Sequence, residues 1–152
     1  NLNRLNFNSK ILNDDFTRFD EKEKFDLIII DAPCSAVGTI RKNPEIFFKK
    51  KEPNFKELKI IQKKMLIKAS NLLNKNGLIL YMVCSFLKNE TEDQINNFLD
   101  LRKDFQILNF ELRKQNTRYS KLIKKNFMLT LPDIILNHNI DGYFASYLEK
   151  IK

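Results

Sequence analysis

Residues 25–35 read FDLIIIDAPCS. Leu27, Ile28, Ile29 and Ile30 follow one another with no polar residue between them. A β-branched run this short reads as a strand buried on both faces, as in a parallel sheet. The run stops at Asp31, and Pro33 cannot continue a central strand because it has no N–H for the ladder. Cys34 and Ser35 therefore stand in a loop at the strand's carboxyl end.

Working outward, the same plan recurs at residues 78–86, LILYMVCSF, where an apolar run ends at Cys84 and Ser85. Between the two strands, Leu58, Ile61, Met65, Ala69 and Leu72 recur at helical spacing, with Lys56, Lys59, Lys63 and Lys64 on other faces. This predicts a helix over residues 54–73, closed by Asn76-Gly77 with the glycine in a left-handed cap. A second helix is expected over residues 89–102, with Ile95, Phe98 and Leu99 on one side. Glu90, Glu92 and Asp93 fall in its first turn, where the helix dipole favours negative charge. Residues 10–12 read as a short strand before a polar turn. Residues 105–110, 127–131 and 142–148 read as strands, the last two antiparallel, with a polar connection over 111–125. Strand, helix, strand, helix, strand in one domain predicts an α/β sheet with parallel neighbours and flanking helices.

The 152 residues are 43% apolar and 30% charged, a globular profile with no apolar run long enough to span a membrane. No secretory signal is visible. Two cysteines without such a signal point to a reducing, cytoplasmic setting, and with one histidine they argue against a structural zinc site. Lys and Arg total 27 against 19 Asp and Glu, a net charge of +8. Arg41, Lys42, Lys49, Lys50 and Lys51 crowd one segment, with Phe47 and Phe48 among them. Two readings are open. Basic residues interleaved with aromatics can hold phosphates and stack unpaired bases; equally, this can be a solvated loop with two core phenylalanines.

The cysteines also carry two readings. A buried, inert thiol is the ordinary fate of a lone cysteine. Two strand-end thiols and the strand-end carboxylate of Asp31 would instead point into one crevice, since ligands of open α/β sheets bind at the carboxyl ends of strands.

Three stretches carry a resemblance to a known family. DAPCSAVGTIRKNPEI (residues 31–46), LILYMVCSF (78–86) and IDGYFASYLEK (140–150) resemble, in order and spacing, the signatures of the Sun-type RNA cytosine-5 methyltransferases. The likeness is especially to those acting on bacterial small-subunit ribosomal RNA. It implies the C-terminal part (residues 1–152) of a Rossmann-like catalytic domain that uses S-adenosylmethionine, acts on ribosomal RNA and works as a monomer. It implies that Cys84 is the nucleophile, that Cys34 assists release of the product, and that Asp31 hydrogen-bonds at the junction of cofactor and base. Asp31, Pro33 and Asp14 are then the cofactor-side residues, with Asp15 one position away as the alternative to Asp14. Arg41, Lys42, Lys49, Lys50 and Lys51 are the implied RNA contacts.

Three departures from the family pattern stand out. Val83 replaces the threonine that usually precedes the nucleophile. Asn89-Glu90-Thr91-Glu92 keeps only Glu90 in register with the family's acidic-Asn-Glu pattern. No glycine-rich cofactor loop is present among the three glycines. That loop and its strand are expected before Asn1, so negligible cofactor binding is expected of these residues alone. The competing readings are a non-catalytic RNA-binding homologue and a thiol redox protein; the second is disfavoured because no Cys-x-x-Cys pair is present.

Overall fold

In the computed structural model of the protein, residues 2–20, 22–48, 51–109, 122–124, 126–135 and 138–152 are described. The first apolar run forms β1 (Phe25–Asp31), which pairs in parallel with β2 (Leu73–Val83). Helix α1 (Phe55–Leu72) makes the crossover between them. Asn54 caps it reciprocally: its side chain accepts from the Glu57 N–H at 3.1 Å and donates to the Glu57 carboxylate at 3.1 Å.

The buried stripe of α1 is Gln62, Leu66, Ala69, Ser70 and Leu72, turned from the expected one. Leu58, Ile61 and Met65 are only half-buried. Small Ala69 and Ser70 let the helix approach the sheet, and Ser70 satisfies its hydroxyl on the Ile67 carbonyl at 2.7 Å.

Helix α1 ends at Leu72, with Leu73 already extended. The left-handed residue is Asn76, at φ 62°, and Gly77 is not left-handed, so the expected glycine cap is corrected. The turn is a bulge within β2, where Leu73 opposes Phe25 but Leu78 opposes Leu27. Asn tolerates the left-handed region. Gly77 is needed for space instead, because a Cβ there would lie 3.0 Å from the Asn74 carbonyl and 3.2 Å from that of Phe25.

Helix α2 (Glu92–Leu101) is shorter than expected, because a 3-10 turn (Lys88–Glu90) and a non-helical Thr91 precede it. Glu92 and Asp93 hold its first turn. Glu90 does not; it points inward and is fully buried. Ile95 and Phe98 are buried, and the Phe98 ring meets Phe105 edge-on at 5.2 Å.

Strand β3 (Phe105–Leu108) follows, then β4 (Ile123–Lys124), β5 (Phe127–Leu129), the β6 (Asp133–Ile135) and β7 (His138–Ile140) hairpin, and β8 (Phe144–Lys150). The main sheet runs β1-β2-β8-β5-β4, with β3 also on β8. β8 is antiparallel to β2, β3 and β5, so the expected β5–β8 pairing forms. Among the described residues, parallel neighbours occur only at β1 and β2. A parallel pair needs a crossover connection, and among the described residues no helix lies between β3 and β8. Most of residues 111–125 lies outside the described residues.

The core joins Leu66, Ala69, Ile95 and Phe98 to Ile30, Ile79, Tyr81, Val83, Phe144 and Leu148 of the sheet. The expectation that β1 is buried on both faces is corrected. Ile30 is buried, but Leu27 is 50% and Ile29 58% exposed. β1 is the sheet's edge, and α1 and α2 cover only the face that Ile30 shares with its partner Tyr81. Nor do residues 10–12 form a strand; they have no regular secondary structure, and Ile11 is 80% exposed. No helix among the described residues is long and apolar enough to cross a membrane.

Candidate active site

The parallel pair β1–β2 sets the two motif loops side by side. The Ala32 N–H donates to the Met82 carbonyl at 3.0 Å, carrying the ladder one step past Asp31. Both chains then turn out of the sheet, and Cys34 Sγ lies 3.2 Å from Cys84 Sγ. Both thiols are free and partly accessible. Burial pushes the Cys34 thiol up to about 12, with the hydrogen bond to Cys84 adding to the effect. Cys34 therefore keeps its proton at neutral pH and can donate it to the Cys84 sulfur.

Beneath the thiols lies the Glu90 carboxylate. It accepts from the Ser35 N–H at 2.8 Å, the Ser35 hydroxyl at 2.6 Å and the Ser85 hydroxyl at 2.7 Å. Gln62 Nε2 donates to the Pro33 carbonyl at 2.9 Å and reaches Glu90 at 3.4 Å. The Tyr81 hydroxyl donates to the Glu90 carbonyl at 2.9 Å, and burial, then the nearby Glu90 charge, raise its pKa. Gln62 and Glu90 were missed as site residues. The available signals were a glutamine in the middle of an apolar helical stripe and the register of Glu90 with the family pattern.

The third motif closes the site through backbone. The Gly38 N–H donates to the Cys84 carbonyl at 3.1 Å, and the Gly142 N–H donates to the Gly38 carbonyl at 2.7 Å. A Cβ on Gly38 would fall 1.9 Å from the Gly142 carbonyl oxygen, so only glycine fits. Next to this contact, Asp141 is buried against two cations: Lys42 Nζ at 2.8 Å and Arg41 Nη2 at 3.1 Å. The hydrogen bond from Lys42, helped by the charges of Lys42 and Arg41, holds its carboxyl below the ordinary range.

The other expected site residues sit as follows. Asp31 and Pro33 are exposed at the carboxyl end of β1, and among the described residues the Asp31 carboxylate has no hydrogen bond or ion pair. Asp14 is exposed in the loop before β1, where it accepts from the Asp15 N–H at 2.7 Å; it does not line the cleft at Cys34. Arg41 and Lys42 are exposed but engaged with Asp141. Lys49 and Lys50 lie outside the described residues, and the side chain of His138 is likewise not described. Lys51 is exposed and, with Cys34, Ser35, Asn54 and Glu57, lines a cleft of about 370 Å³. A larger cavity, about 680 Å³, lies between Thr17–Arg18 and α1, away from both thiols. The cleft, not the larger cavity, adjoins the chemistry. Phe47 is 75% and Phe48 83% exposed, so neither is a core residue.

The family model for 16S rRNA methyltransferase RsmB/F matches residues 1–149. The Ribosomal RNA small subunit methyltransferase B of Shewanella oneidensis is 31% identical over 99% of this chain and 33% of its own length. The 25S rRNA (cytosine-C(5))-methyltransferase nop2 of Schizosaccharomyces pombe is 30% identical over 99% of this chain and 27% of its own. This chain thus spans about a third or less of these relatives. The crystal structure of NSun6 from Pyrococcus horikoshii with SFG superposes at a TM-score of 0.75, with 20% identity, over 99% of this chain and 37% of that one. At that identity the likeness speaks to the fold, and it confirms a partial methyltransferase-type sheet with flanking helices. With nearly every residue matched by one family model, the chain belongs to the 16S rRNA methyltransferase RsmB/F family.

Proposed function

We propose that the protein transfers a methyl group from S-adenosylmethionine to C5 of a cytosine in ribosomal RNA, through a covalent bond between Cys84 and C6. One observation carries this reading: the two signature thiols lie 3.2 Å apart at the ends of adjacent parallel strands. Matched relatives named as rRNA methyltransferases, one of them cytosine-C5, support the substrate class.

The carbon C5 of cytosine is a poor nucleophile. Addition of the Cys84 thiolate to C6 pushes electron density onto C5. S-adenosylmethionine, when bound, supplies an electrophilic methyl group to that carbon. A base then removes the C5 proton, the electron pair re-forms the C5–C6 double bond, and the C6–S bond breaks. Cys34, still protonated at neutral pH, donates a hydrogen bond to the departing Cys84 sulfur and stabilises it as thiolate. The Asp31 carboxylate, exposed and without a protein partner among the described residues, is suited to accept hydrogen bonds from base and cofactor.

The cofactor-side residues fit in part. Asp31 and Pro33 lie just before Cys34 in the chain and are exposed, and Asp14 is exposed in the loop before β1. Lys51 lines the Cys34 cleft, and Phe47 and Phe48 in the preceding segment offer exposed rings, suited to phosphates and unstacked bases. Arg41 and Lys42 can serve there too, though Asp141 already draws on their charge.

The test is a pair of substitutions in the longest in-frame form of the protein. Cys84→Ala should abolish both methyl transfer and any denaturant-resistant protein–RNA band. Cys34→Ala should accumulate that band, because addition proceeds while release is impaired. Reversed behaviour overturns the assignment of roles. RNA binding with neither transfer nor adduct in the parent protein would instead establish a non-catalytic RNA-binding homologue.

A further inference from the structure

Glu90 is a wholly buried acid that the chemistry above does not use. A carboxylate removed from water needs several donors to replace its hydration. Those donors are not scattered. Its Oε2 takes the hydroxyls of Ser35 at 2.6 Å and Ser85 at 2.7 Å, and its Oε1 takes the Ser35 N–H at 2.8 Å. Ser35 and Ser85 are the residues directly after Cys34 and Cys84. The fourth donor, Gln62, also holds the Pro33 carbonyl, the residue before Cys34. The tie is therefore made to both loops at the positions that flank the thiols. From below, the Tyr81 hydroxyl fixes the Glu90 backbone by donating to its carbonyl at 2.9 Å.

We propose that Glu90 is a positioning residue of the site, whose single carboxylate fastens the residue after each cysteine to one point and so holds the two thiols in register. The purpose of this register rests on the methyl-transfer reading; the geometry does not. Loops that leave a sheet have no ladder bonds to keep them together. Here, beside the Gly38 N–H bond to the Cys84 carbonyl, the carboxylate supplies that connection at the residues next to the thiols, across a sequence separation of 50 residues.

The donor chemistry makes the conservative substitution informative. The Ser35 N–H can only donate, so an oxygen must stand at Oε1. The two hydroxyls can donate or accept, so they tolerate an NH₂ at Oε2. Glu90→Gln should keep the tie, and Glu90→Ala should lose it.

Thiol proximity is read directly with diamide, which takes up the two thiol hydrogens to become the hydrazine as Cys34 and Cys84 close to a disulfide. The readout is the rate at which the chain loses two hydrogens of mass and both free thiols. Wild type and Glu90→Gln should close at rates within about threefold, and Glu90→Ala about tenfold or more slower, because held groups react as if at far higher concentration. Phe98→Leu serves as the control for stability, and it should close at the wild-type rate even if its Tm falls as far as that of Glu90→Ala. If Glu90→Ala does not fold, Glu90→Asp, one methylene too short to reach both loops, carries the same expectation. Wild-type closure in the Ala or Asp variant overturns the proposal, as does equal slowing in Phe98→Leu. Should methyl transfer prove absent from every form while the cross-linking contrast stands, the reading of function fails and the positioning role survives.

Discussion

Cys34 Sγ and Cys84 Sγ stand 3.2 Å apart, one from each loop of the only parallel strand pair among the described residues. A single trivalent arsenical can span that distance, bonding to both sulfurs with loss of one water. One equivalent of phenylarsine oxide should therefore remove both thiols from titration with a thiol reagent in native protein. Half of the thiol signal surviving at that ratio would contradict the geometry.

Gly38 is wedged between the second and third motif loops. Its substitution by Ala would place a Cβ 1.9 Å from the Gly142 carbonyl oxygen and 2.9 Å from that of Cys84. Those are backbone atoms, so the loops must part. Gly38→Ala should lose about 3 kcal/mol in urea unfolding, the upper end of overpacking costs. Gly77→Ala, whose nearest atoms lie at 3.0 to 3.2 Å, should lose clearly less. Equal midpoints for the two variants would refute the wedge.

On β1 and β2 the two faces should respond differently to truncation. Ile79 is fully buried, and Ile79→Ala should cost about 3 kcal/mol in the chain. Ile29 is 58% exposed, and Ile29→Ala should cost under about 1 kcal/mol, since little apolar area returns to water. Comparable losses in chemical denaturation would mean that the open face of β1 is covered.

This contrast also marks what was legible in the chain and what was not. The run from Leu27 to Ile30 announced a strand, but not that α1 and α2 cover only one of its faces. Both cysteine loops were legible, because Pro33 and the end of each apolar run fix where the strands stop. The stripe of α1 was misplaced, since burial of Gln62 depends on partners in two distant loops. Glu90 was read as a helix-dipole charge for the same reason. Asn76-Gly77 was read as the end of α1 with a glycine cap, yet the helix stops at Leu72 and the left-handed residue is the asparagine, because the glycine is placed by crowding against Phe25 across the ladder.

Acid should loosen the third motif. The Lys42 hydrogen bond and the charges of Lys42 and Arg41 hold the Asp141 carboxyl below its ordinary 3.8. A carboxyl depressed in the folded state stabilises the fold above the unfolded value, and that contribution is lost as pH falls through the folded one. The Tm of the wild-type chain should drop between about pH 5 and pH 2 more steeply than that of Asp141→Asn. Parallel curves would show that the Arg41–Lys42–Asp141 cluster contributes no pH-dependent stability.

The Gly142 N–H that caps the Gly38 carbonyl has a consequence for how the protein is made. The site is assembled from contacts between positions far apart along the chain, and contacts of that kind form late in folding because loop closure must come first. Its last clasp belongs to the segment leading into β8, the last of the described strands in sequence order. A nascent chain with β1, α1, β2 and α2 already emerged would carry both cysteines without the backbone that closes the loops over them. The two motif loops thus gain this backbone clasp only once the segment leading into β8 has emerged, so that a chain interrupted before it carries the Glu90 tie between the loops but not the Gly142 bond that closes them.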